Sequence, residues 1–269
     1  MWLILLVRYF VNLIPFNLRL FINNTFPFLK LGKIFRHGKN PNKYIFQLKE
    51  FNKKFFLSDS IVLKKIFWEG IISYEKNLPF YFEKLSRNKK ILELGANCGF
   101  YTCIGGKNSK KYYAFEPIRK NFEELKKNIK LNRLCNVKLF NFAVIDNNSK
   151  NVKLYIPNRD TTEINSGANL FFKSKKFEIC KSINILKILN ELKPNLIKMD
   201  IEGYEYYLLL KSKKYILKYK PIIICELNNK KTISFLISLN PKKIQDINGN
   251  KLNFKQIKYY KFRDCIFYF

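Results

Sequence analysis

The sequence contains a single histidine, His37, and no C-x-x-C pair among its six cysteines. A structural zinc site needs several closely spaced cysteine or histidine ligands, so the sequence predicts no zinc module. We predict no other metal site either, although a divalent ion held by Asp200 and Glu202 stays open as an alternative that lacks an obvious third ligand. The cysteines, at 98, 103, 135, 180, 225 and 265, are predicted to be reduced core residues. Reduced cysteines are typical of a cytoplasmic protein rather than of a secreted disulfide scaffold.

Acidic residues are scarce, since 20 Asp and Glu stand against 51 Lys and Arg, for a formal charge of +31. Such an excess is typical of proteins that bind nucleic acids or anionic membranes. The lysines, however, are scattered pairs without a dominant block, and the sequence is rich in residues with A/T-rich codons. We therefore interpret the charge as a solvated surface and expect no nucleic-acid partner.

The N-terminal region lacks an uncharged span of about 20 residues, which a transmembrane helix requires. Arg8, Pro15 and Arg19 interrupt its apolar run. On a helical wheel Arg8, Asn12 and Arg19 cluster and leave a wide apolar face. Two interpretations are open: residues 1–36 lie on an anionic membrane surface, or they pack on the rest of the protein.

A turn-rich stretch, His37 to Asn42, is the best candidate for a domain boundary. We divide the chain into an apolar and basic extension, 1–40, a cap, 41–88, and a catalytic-type domain, 89–269. Helical spacing is expected from Ile61 to Leu85. Trp68-Glu69-Gly70 and Tyr74-Glu75 fall in that region and could face the ligand cleft, but an aromatic residue on an amphipathic helix more often belongs to the core, which is the preferred interpretation.

The chain is organised around the stretch from Asn88 to Tyr101, which reads as a buried strand that turns sharply into a helix. Gly95 and Gly99 lack a Cβ, so they can adopt positive φ and let a ligand approach the backbone. The first turn of the helix offers free N–H donors. The glycines do not fit the G-x-G-x-x-G spacing, which disfavours NAD and FAD.

Acidic residues follow the first two predicted strands. Glu93 repels phosphate and suits a cationic ligand, which favours S-adenosylmethionine over a pyrophosphate. The second strand, Tyr112 to Phe115, leads into Glu116, about 20 residues after the glycine turn. An acid at that position is where the hydroxyls of a ribose are bound.

Further acids follow the later strands. Leu196 to Met199 runs into Asp200, and Glu226 ends the strand after Pro221. Ligands bind at the carboxyl ends of the strands in open α/β sheets, so a functional role is predicted for Asp200. Glu202 and Glu205 have the simpler interpretation of acids at a helix N-terminus.

Two other segments are predicted from their composition. Thr161 to Asn169 is polar, and it either closes over a substrate or forms an ordinary surface loop. Near the end, Ile244 to Ile247 and Lys251 to Phe254 flank Asn248-Gly249, a hairpin signal. A final extended segment covers Tyr259 to Phe269.

Five alternating strand and helix units followed by hairpin elements predict the α/β fold of a Rossmann-like class I methyltransferase. The sheet is expected to be mostly parallel, with an antiparallel C-terminal hairpin strand. Helices cover both faces, and an N-terminal helical extension precedes them.

The motifs of this core resemble those of the FkbM-type S-adenosylmethionine-dependent methyltransferases over about residues 68 to 269. They are Glu-Leu-Gly-Ala-Asn-Cys-Gly-Phe-Tyr-Thr at 93–102, Phe-Glu-Pro at 115–117 with Asn121 and Asn128, Asn-Phe-Ala-Val at 141–144, Lys-Met-Asp-Ile-Glu-Gly-Tyr-Glu at 198–205 and Cys-Glu-Leu at 225–227. The resemblance implies O-methylation of a hydroxyl group on a sugar, a glycan or another small molecule.

Carried over residue by residue, the resemblance also implies a cofactor site. The implied cofactor-binding residues are Glu93, Gly95, Asn97, Gly99, Tyr101, Thr102, Glu116, Asn141, Ala143 and Asp200. For the chemistry, we expect Asp200 or Glu226 to remove the hydroxyl proton and Lys198 to orient the acceptor or the carboxylate. Glu93 departs from the family pattern, in which Asp is more frequent.

Two other functions remain as alternatives. A nucleic-acid-modifying methyltransferase would suit the positive charge of the chain. The stretch Asp200-Ile201-Glu202-Gly203, however, does not resemble the Asn/Asp-Pro-Pro-Tyr/Phe motif of enzymes that methylate the amino groups of bases. The second alternative is a non-catalytic, membrane-associated protein that retains the methyltransferase fold. The intact acids at 93, 116 and 200 disfavour it.

Overall fold

The computed structural model describes residues 2–41, 44–58, 60–157, 169–170, 174–227, 229–257 and 264–269. The helices are α1 Trp2–Leu13, α2 Phe16–Thr25, α3 Gly32–Phe35, α4 Ile61–Glu69, α5 Ile72–Glu75, α6 Leu78–Ser86, α7 Phe100–Gly106, α8 Arg119–Leu131, α9 Ile185–Leu192, α10 Glu205–Lys211, α11 Lys213–Tyr219, α12 Lys230–Ser238 and α13 Phe254–Ile257. The strands are β1 Ile45–Leu48, β2 Lys53–Phe56, β3 Lys90–Leu94, β4 Lys111–Phe115, β5 Val137–Phe140, β6 Ala143–Ile145, β7 Asn151–Tyr155, β8 Phe177–Asn184, β9 Leu196–Met199, β10 Ile222–Glu226, β11 Lys243–Asp246 and β12 Asp264–Tyr268.

Seven of these strands form the central sheet, in the order β11-β12-β10-β9-β3-β4-β5. The five strands from β10 to β5 are parallel, whereas β12 pairs antiparallel with both β10 and β11. Along the chain, β3, β4 and β5 follow one another toward one edge of the sheet, and β9 then pairs with the other side of β3. This order confirms the predicted α/β fold, and it creates a switch point between β3 and β9 where a ligand can bind.

Helices cover both faces of the sheet because its strands are apolar on both sides. Successive side chains of a strand point to opposite faces, so Ile91 joins one core and Leu92 the other. The first core packs against α4, α6, α7 and α8, and the second against α9 to α13. The carboxyl end of the sheet is thus left as the place for polar side chains.

A smaller sheet stands beside this end of the main one. Its order is β6-β8-β7, with β8 parallel to β6 and antiparallel to β7. The apolar spacing from Lys181 to Leu192 predicts an amphipathic helix, but residues 181–184 form the second half of β8 and the helix begins only at Ile185. Residues 181–184 pair instead with Asn151 and with β6, because β-sheet hydrogen bonds satisfy their backbone there.

The C-terminal hairpin also differs from the expectation. The strand β11 pairs with β12, and Lys251 forms only an isolated bridge to Gln245. Residues 265–267 of β12 are fully buried, so this strand fills the space between β10 and β11. The greater apolar burial of β12 therefore decides which segment completes the sheet.

The cap consists of the β1–β2 hairpin followed by α4, α5 and α6. The expected helical region from 61 to 85 is divided at Gly70, which has a φ of +82°, and again before α6. Five of the cysteines are buried and free, as predicted, and Cys135 is exposed. None of the helices in the described ranges is long and apolar enough to cross a membrane.

Asn128 joins three parts of this architecture. Its side chain is fully buried on α8, where Nδ2 donates to the carbonyl oxygen of Cys98 at 2.8 Å. Its Oδ1 accepts from the backbone N–H of Phe56 at 3.0 Å. One amide thus links the cap, α8 and the loop that follows β3.

We expect Asn128→Ala to lower the free energy of unfolding by about 2–4 kcal/mol, because it leaves a buried N–H and a buried carbonyl without partners. Urea unfolding followed by circular dichroism measures the change. Lys130→Ala, at an exposed position on the same helix, is the control and should stay within about 0.5 kcal/mol of the unaltered protein. Equal small changes in both variants would contradict this role of Asn128.

Candidate functional site

A cavity lies at the carboxyl end of the central sheet, beside the switch point between β3 and β9. The loop after β3, the turn after β4, the stretch 142–145 and the turn after β9 form its walls. Tyr74 and Val62 of the cap close one side of it. The position agrees with the prediction that the strand ends meet at a ligand site.

The glycine turn after β3 brings the backbone of two strands into contact. Gly95 has a φ of +83°, and a Cβ at this position would lie 1.9 Å from the carbonyl oxygen of Asp200. Gly99 is the N-cap residue immediately before α7 and has a φ of +85°. Only glycine therefore fits at 95, where the loop passes directly over the end of β9.

Glu116 is held by the loops on either side of it. Its carboxylate accepts from the backbone N–H of Asn97 at 2.8 Å and of Ile118 at 3.0 Å, and from Nδ2 of Asn121 at 3.2 Å. The side chain is 3% exposed, and this burial raises the pKa of Glu116 to about 7. The carboxyl group is consequently fixed at the cavity wall and titrates close to neutral pH.

Four charged side chains project from the same face of the sheet toward this end. Glu93 of β3 lies opposite Lys198 of β9 in the strand register. Glu226 of β10 lies opposite Asp264 of β12. Both pairs share the face of Ile224 and Ile266 because residues two apart in a strand point the same way.

Lys198 is the cation in the middle of these acids. Its side chain is buried, its Nζ lies 3.3 Å from Oδ2 of Asp200, and it sits 4.4 Å from the ring centre of Tyr101. Burial acts to lower the pKa of Lys198, but the attraction of Asp200 and three other carboxylates outweighs it and raises the pKa. The raised pKa keeps Lys198 protonated at neutral pH, as an ammonium group beside Asp200.

Glu75 was interpreted as a core residue from the sequence, but the structure places it in this cluster. The hydroxyl of Tyr101 donates to the Glu75 carboxylate. Burial raises the pKa of Glu75, and the nearby Lys198 opposes that shift. Tyr74, which precedes it, lines the cavity. The sequence offered this pair only as the less favoured ligand-cleft interpretation, because α5 meets the strand ends only through the fold.

Asp264 is the second residue that the sequence reasoning missed. It is 8% exposed, and its Oδ1 has no hydrogen-bond partner within the described residues. Burial and the charge of Glu75 raise the pKa of Asp264 well above its ordinary value. The available signal was an acid at the start of the apolar run Cys265 to Phe267, since an acid next to buried strand residues is rarely without a role.

Glu93 is 2% exposed, and its carboxylate is hydrogen-bonded to two buried hydroxyl groups of the core. Its Oε2 accepts from Thr102 Oγ1 at 2.5 Å and from the hydroxyl of Tyr112 at 2.7 Å. Burial raises the pKa of Glu93, while Lys198 opposes the shift.

The turn after β9 orients Asp200 toward the cavity. The backbone N–H of Asp200 donates to the carbonyl oxygen of Leu94 at 3.1 Å, and its side chain remains 30% exposed. Glu202 has a φ of +54° and lines the cavity. Glu205 starts α10, as predicted for an acid at a helix N-terminus, but it is buried rather than solvated and accepts from the N–H of Ile201 at 2.9 Å.

The wall opposite Asp200 is largely apolar. It comprises Phe142, Val144, Ile145 and Leu154, together with Leu170 beside the buried Asn169. The predicted polar loop falls mostly at 161–168, outside the described residues. Asn169 pairs with Tyr155 and contributes to the wall itself.

The structure brings most of the predicted site residues together. Those that line the cavity are Glu93, Gly95, Asn97, Tyr101, Glu116, Ala143, Lys198 and Asp200. Four others are not part of the wall: Gly99, Thr102, Asn141 and Glu226. Thr102 is turned to Glu93, and Asn141 Nδ2 donates to the carbonyl oxygens of Glu116 and Pro117, both at 2.8 Å. Their direct contact with a cofactor stays a prediction.

The electrostatics of the wall are opposite to those of the whole protein. Four carboxylates, Glu93, Glu116, Asp200 and Glu202, line the cavity with Lys198 as the only basic residue among its described lining. The chain as a whole carries a formal charge of +31. In the described part of the chain, no three His, Cys, Asp or Glu side chains are arranged to hold a metal ion.

Several solved structures are similar to this chain. A methyltransferase FkbM from Methylobacillus flagellatus KT matches with 14% identity and a TM-score of 0.43, covering 77% of this chain and 54% of that protein. This chain thus spans about half the length of that relative. The M. jannaschii TYW2, solved in complex with AdoMet, matches with 12% identity and a TM-score of 0.40 over 86% of each chain.

A third structure, precorrin-6y C5,15-methyltransferase from Geobacter metallireducens GS-15, matches with 9% identity and a TM-score of 0.40, covering 71% of this chain and 86% of that one. No curated protein matches the sequence. The model of the methyltransferase FkbM domain matches residues 73–242, which is more than half of the chain. These residues include the glycine turn, Glu116, Lys198 and Asp200, so the chain belongs to the FkbM methyltransferase family.

Proposed function

We propose that this protein methylates a hydroxyl group of a sugar, a glycan or another small molecule. Methyltransferases of this family use S-adenosylmethionine. The observation that carries the proposal is the Asp200 carboxylate, which faces the cavity and is held 3.3 Å from a buried ammonium group. A carboxylate at this place can take the proton that a hydroxyl loses when its oxygen is methylated.

The residues of the cavity fit the cofactor. Bound S-adenosylmethionine supplies a methyl group on a positively charged sulfur, and an acid-lined wall favours that charge. Glu116 would accept the ribose hydroxyls, and Gly95 and Asn97 would lie against the amino acid portion. Phe142 and Val144 offer an apolar wall to the adenine.

We assign the acceptor to the side of the cavity that is formed by the cap and the end of β9. Tyr74 closes this side, and Tyr101 covers the ammonium group of Lys198. Since Lys198 stays protonated, it keeps Asp200 in one orientation. Glu75 holds the hydroxyl of Tyr101, so it positions this pair rather than touching the reacting atoms. Glu226 lies outside the wall, which leaves Asp200 as the preferred base.

The alternative of a nucleic-acid substrate has weaker support. Four carboxylates at the cavity wall repel a phosphate backbone that approaches it. A sugar hydroxyl carries no such charge, and carboxylates are suitable hydrogen-bond acceptors for it.

The substrate class is tested by incubating the protein with methyl-labelled S-adenosylmethionine and separate pools of glycans, small hydroxylated metabolites and RNA. The expected result is label in one of the first two pools, as an O-methyl ether identified by nuclear magnetic resonance. Label confined to RNA, or to nitrogen atoms, would contradict the proposal.

For Asp200→Asn we expect methyl transfer to slow by about 100-fold to 10,000-fold while S-adenosylmethionine binding stays within a few-fold, because the amide cannot accept the proton. Labelled product gives the rate, and calorimetry gives the affinity. Glu202→Gln removes a neighbouring carboxylate of the same turn and is the matched control, with a rate within about tenfold. A nearly normal rate for Asp200→Asn would exclude it as the base.

Cofactor affinity should depend on pH through Glu116. Its raised pKa of about 7 means that the carboxyl group is protonated below that pH and then loses an acceptor for the ribose hydroxyls. Calorimetric titration with S-adenosylmethionine should therefore show the affinity falling as the pH drops through about 7. Glu116→Gln should bind more weakly and with a flatter pH profile.

Glu205→Gln provides the control for that titration. Glu205 also has a pKa raised by burial to about 7, but it does not line the cavity. This variant should keep the pH dependence of the unaltered protein. A loss of the dependence in Glu205→Gln alone would show that Glu116 is not the titrating group.

A further inference from the structure

The N-terminal helices expose an unusual amount of apolar surface. Ten of the twenty exposed large hydrophobic residues in the described protein lie between positions 6 and 34. The most exposed are Tyr9, Phe10, Leu13, Phe21 and Phe28, with 57–72% of their surface accessible. We call the outer surface of residues 6–34 the N-terminal face. Leu6, Tyr9, Phe10 and Leu13 follow the spacing of one side of α1, and exposed apolar surface of this extent marks an interaction surface.

One charged residue of these helices points the other way. Arg19 is 2% exposed and donates from Nη1 to the carbonyl oxygen of Phe35 at 3.1 Å. One of the two open interpretations placed Arg19 beside Arg8 and Asn12 on a lipid-binding side, but Pro15 separates α1 from α2 and Arg19 points inward. Asn12 uses its Oδ1 to accept from the backbone N–H of Lys39. The helices thus bury an arginine and expose aromatic rings, the reverse of a helix that only faces water.

The face is firmly attached to the rest of the protein. Val11, Phe35 and Trp68 form a buried cluster between the N-terminal helices and α4. Arg36 and Glu69 form an ion pair at 2.7 Å. Packing on the domain and exposure of an apolar face are therefore both present, on opposite sides of the same helices.

The charge around this face is of one sign. Residues 1–49 contain eight Lys or Arg residues and no Asp or Glu. Lys30, Lys33 and Lys39 are exposed. Aromatic and leucine side chains flanked by lysines are the composition of segments that lie in the headgroup region of a bilayer, where lysines attract anionic lipid.

We propose that the N-terminal face docks this protein on an anionic phospholipid bilayer, with its aromatic side chains at the headgroup boundary. The helix α4 connects that face to the cavity, since Trp68 packs under the face and Val62 lines the cavity. Val62 and Trp68 are six positions apart in α4, which corresponds to a rise of about 9 Å along the helix. Docking therefore holds the methyl-acceptor side of the cavity close to the bilayer surface.

The test is cosedimentation of the full chain with vesicles. Vesicles of phosphatidylcholine alone are compared with vesicles of equal parts phosphatidylcholine and phosphatidylglycerol. We expect binding to the second kind that falls as salt is added, because the lysine attraction is screened. Failure to bind the mixed vesicles overturns the proposal.

Two double variants locate the binding surface. Lys30→Glu with Lys33→Glu, and Phe10→Ser with Phe21→Ser, should each weaken binding at least about tenfold. All four residues are exposed, so folding should persist. Calorimetric binding of S-adenosylmethionine checks the folding independently, and it would remain informative if the proposed acceptor class were wrong.

The matched controls lie on α10 and α11, which form another basic surface with exposed leucines. Lys213→Glu with Lys214→Glu changes the net charge by the same amount, and Leu210→Ser with Leu217→Ser removes similar apolar surface. Both should bind within about threefold of the unaltered chain. Equal losses in both charge variants would show diffuse attraction, and a loss confined to the controls would place the site there. Either outcome overturns the proposal.

Discussion

The buried ammonium group of Lys198 is the interaction on which the candidate site depends. It is surrounded by the carboxylates of Asp200, Asp264, Glu75 and Glu93, contributed by the turn after β9, by the strands β12 and β3 and by one helix of the cap. A buried charge is strongly destabilising without partners, so the lysine and the acids must be assembled together. This requirement joins β3, β9, β12 and α5 at one point, and it fixes the end of β9 from which Asp200 reaches the cavity.

The glycine turn depends on the same point. Gly95 passes against the carbonyl oxygen of Asp200, so the loop after β3 and the turn after β9 hold one another in place. Glu116 then binds the N–H of Asn97, and Asn128 binds the carbonyl of Cys98, which ties the loop to β4 and to α8. Cofactor-binding geometry is thus supported by backbone contacts and does not rely on side chains alone. Such preorganisation lowers the entropic cost of binding a ligand.

The overall charge of the protein says little about its site. A surface rich in lysine surrounds a cavity walled by four acids and a single lysine in its described lining. The surface charges and the cavity charges are in different environments. Surface lysines are solvated, whereas the charged groups of the cavity wall are partly desolvated and interact strongly with one another. The N-terminal face adds a third environment, in which apolar rings point outward and an arginine is buried. A bilayer surface is the partner we propose for it.

The sequence by itself determined the central strands, the glycine turn and the acids that follow the strands, because short apolar runs and glycine positions are local signals. Glu93, Glu116 and Asp200 could be named as site residues on that basis, and Lys198 was added with the chemistry expected for Asp200. Only the tertiary structure decided that Glu75 and Asp264 join them, that β12 rather than residues 251–254 pairs with β11, and that Arg19 points inward. These three outcomes rest on contacts between segments far apart in the chain, and the burial that such contacts create is not encoded in any local pattern.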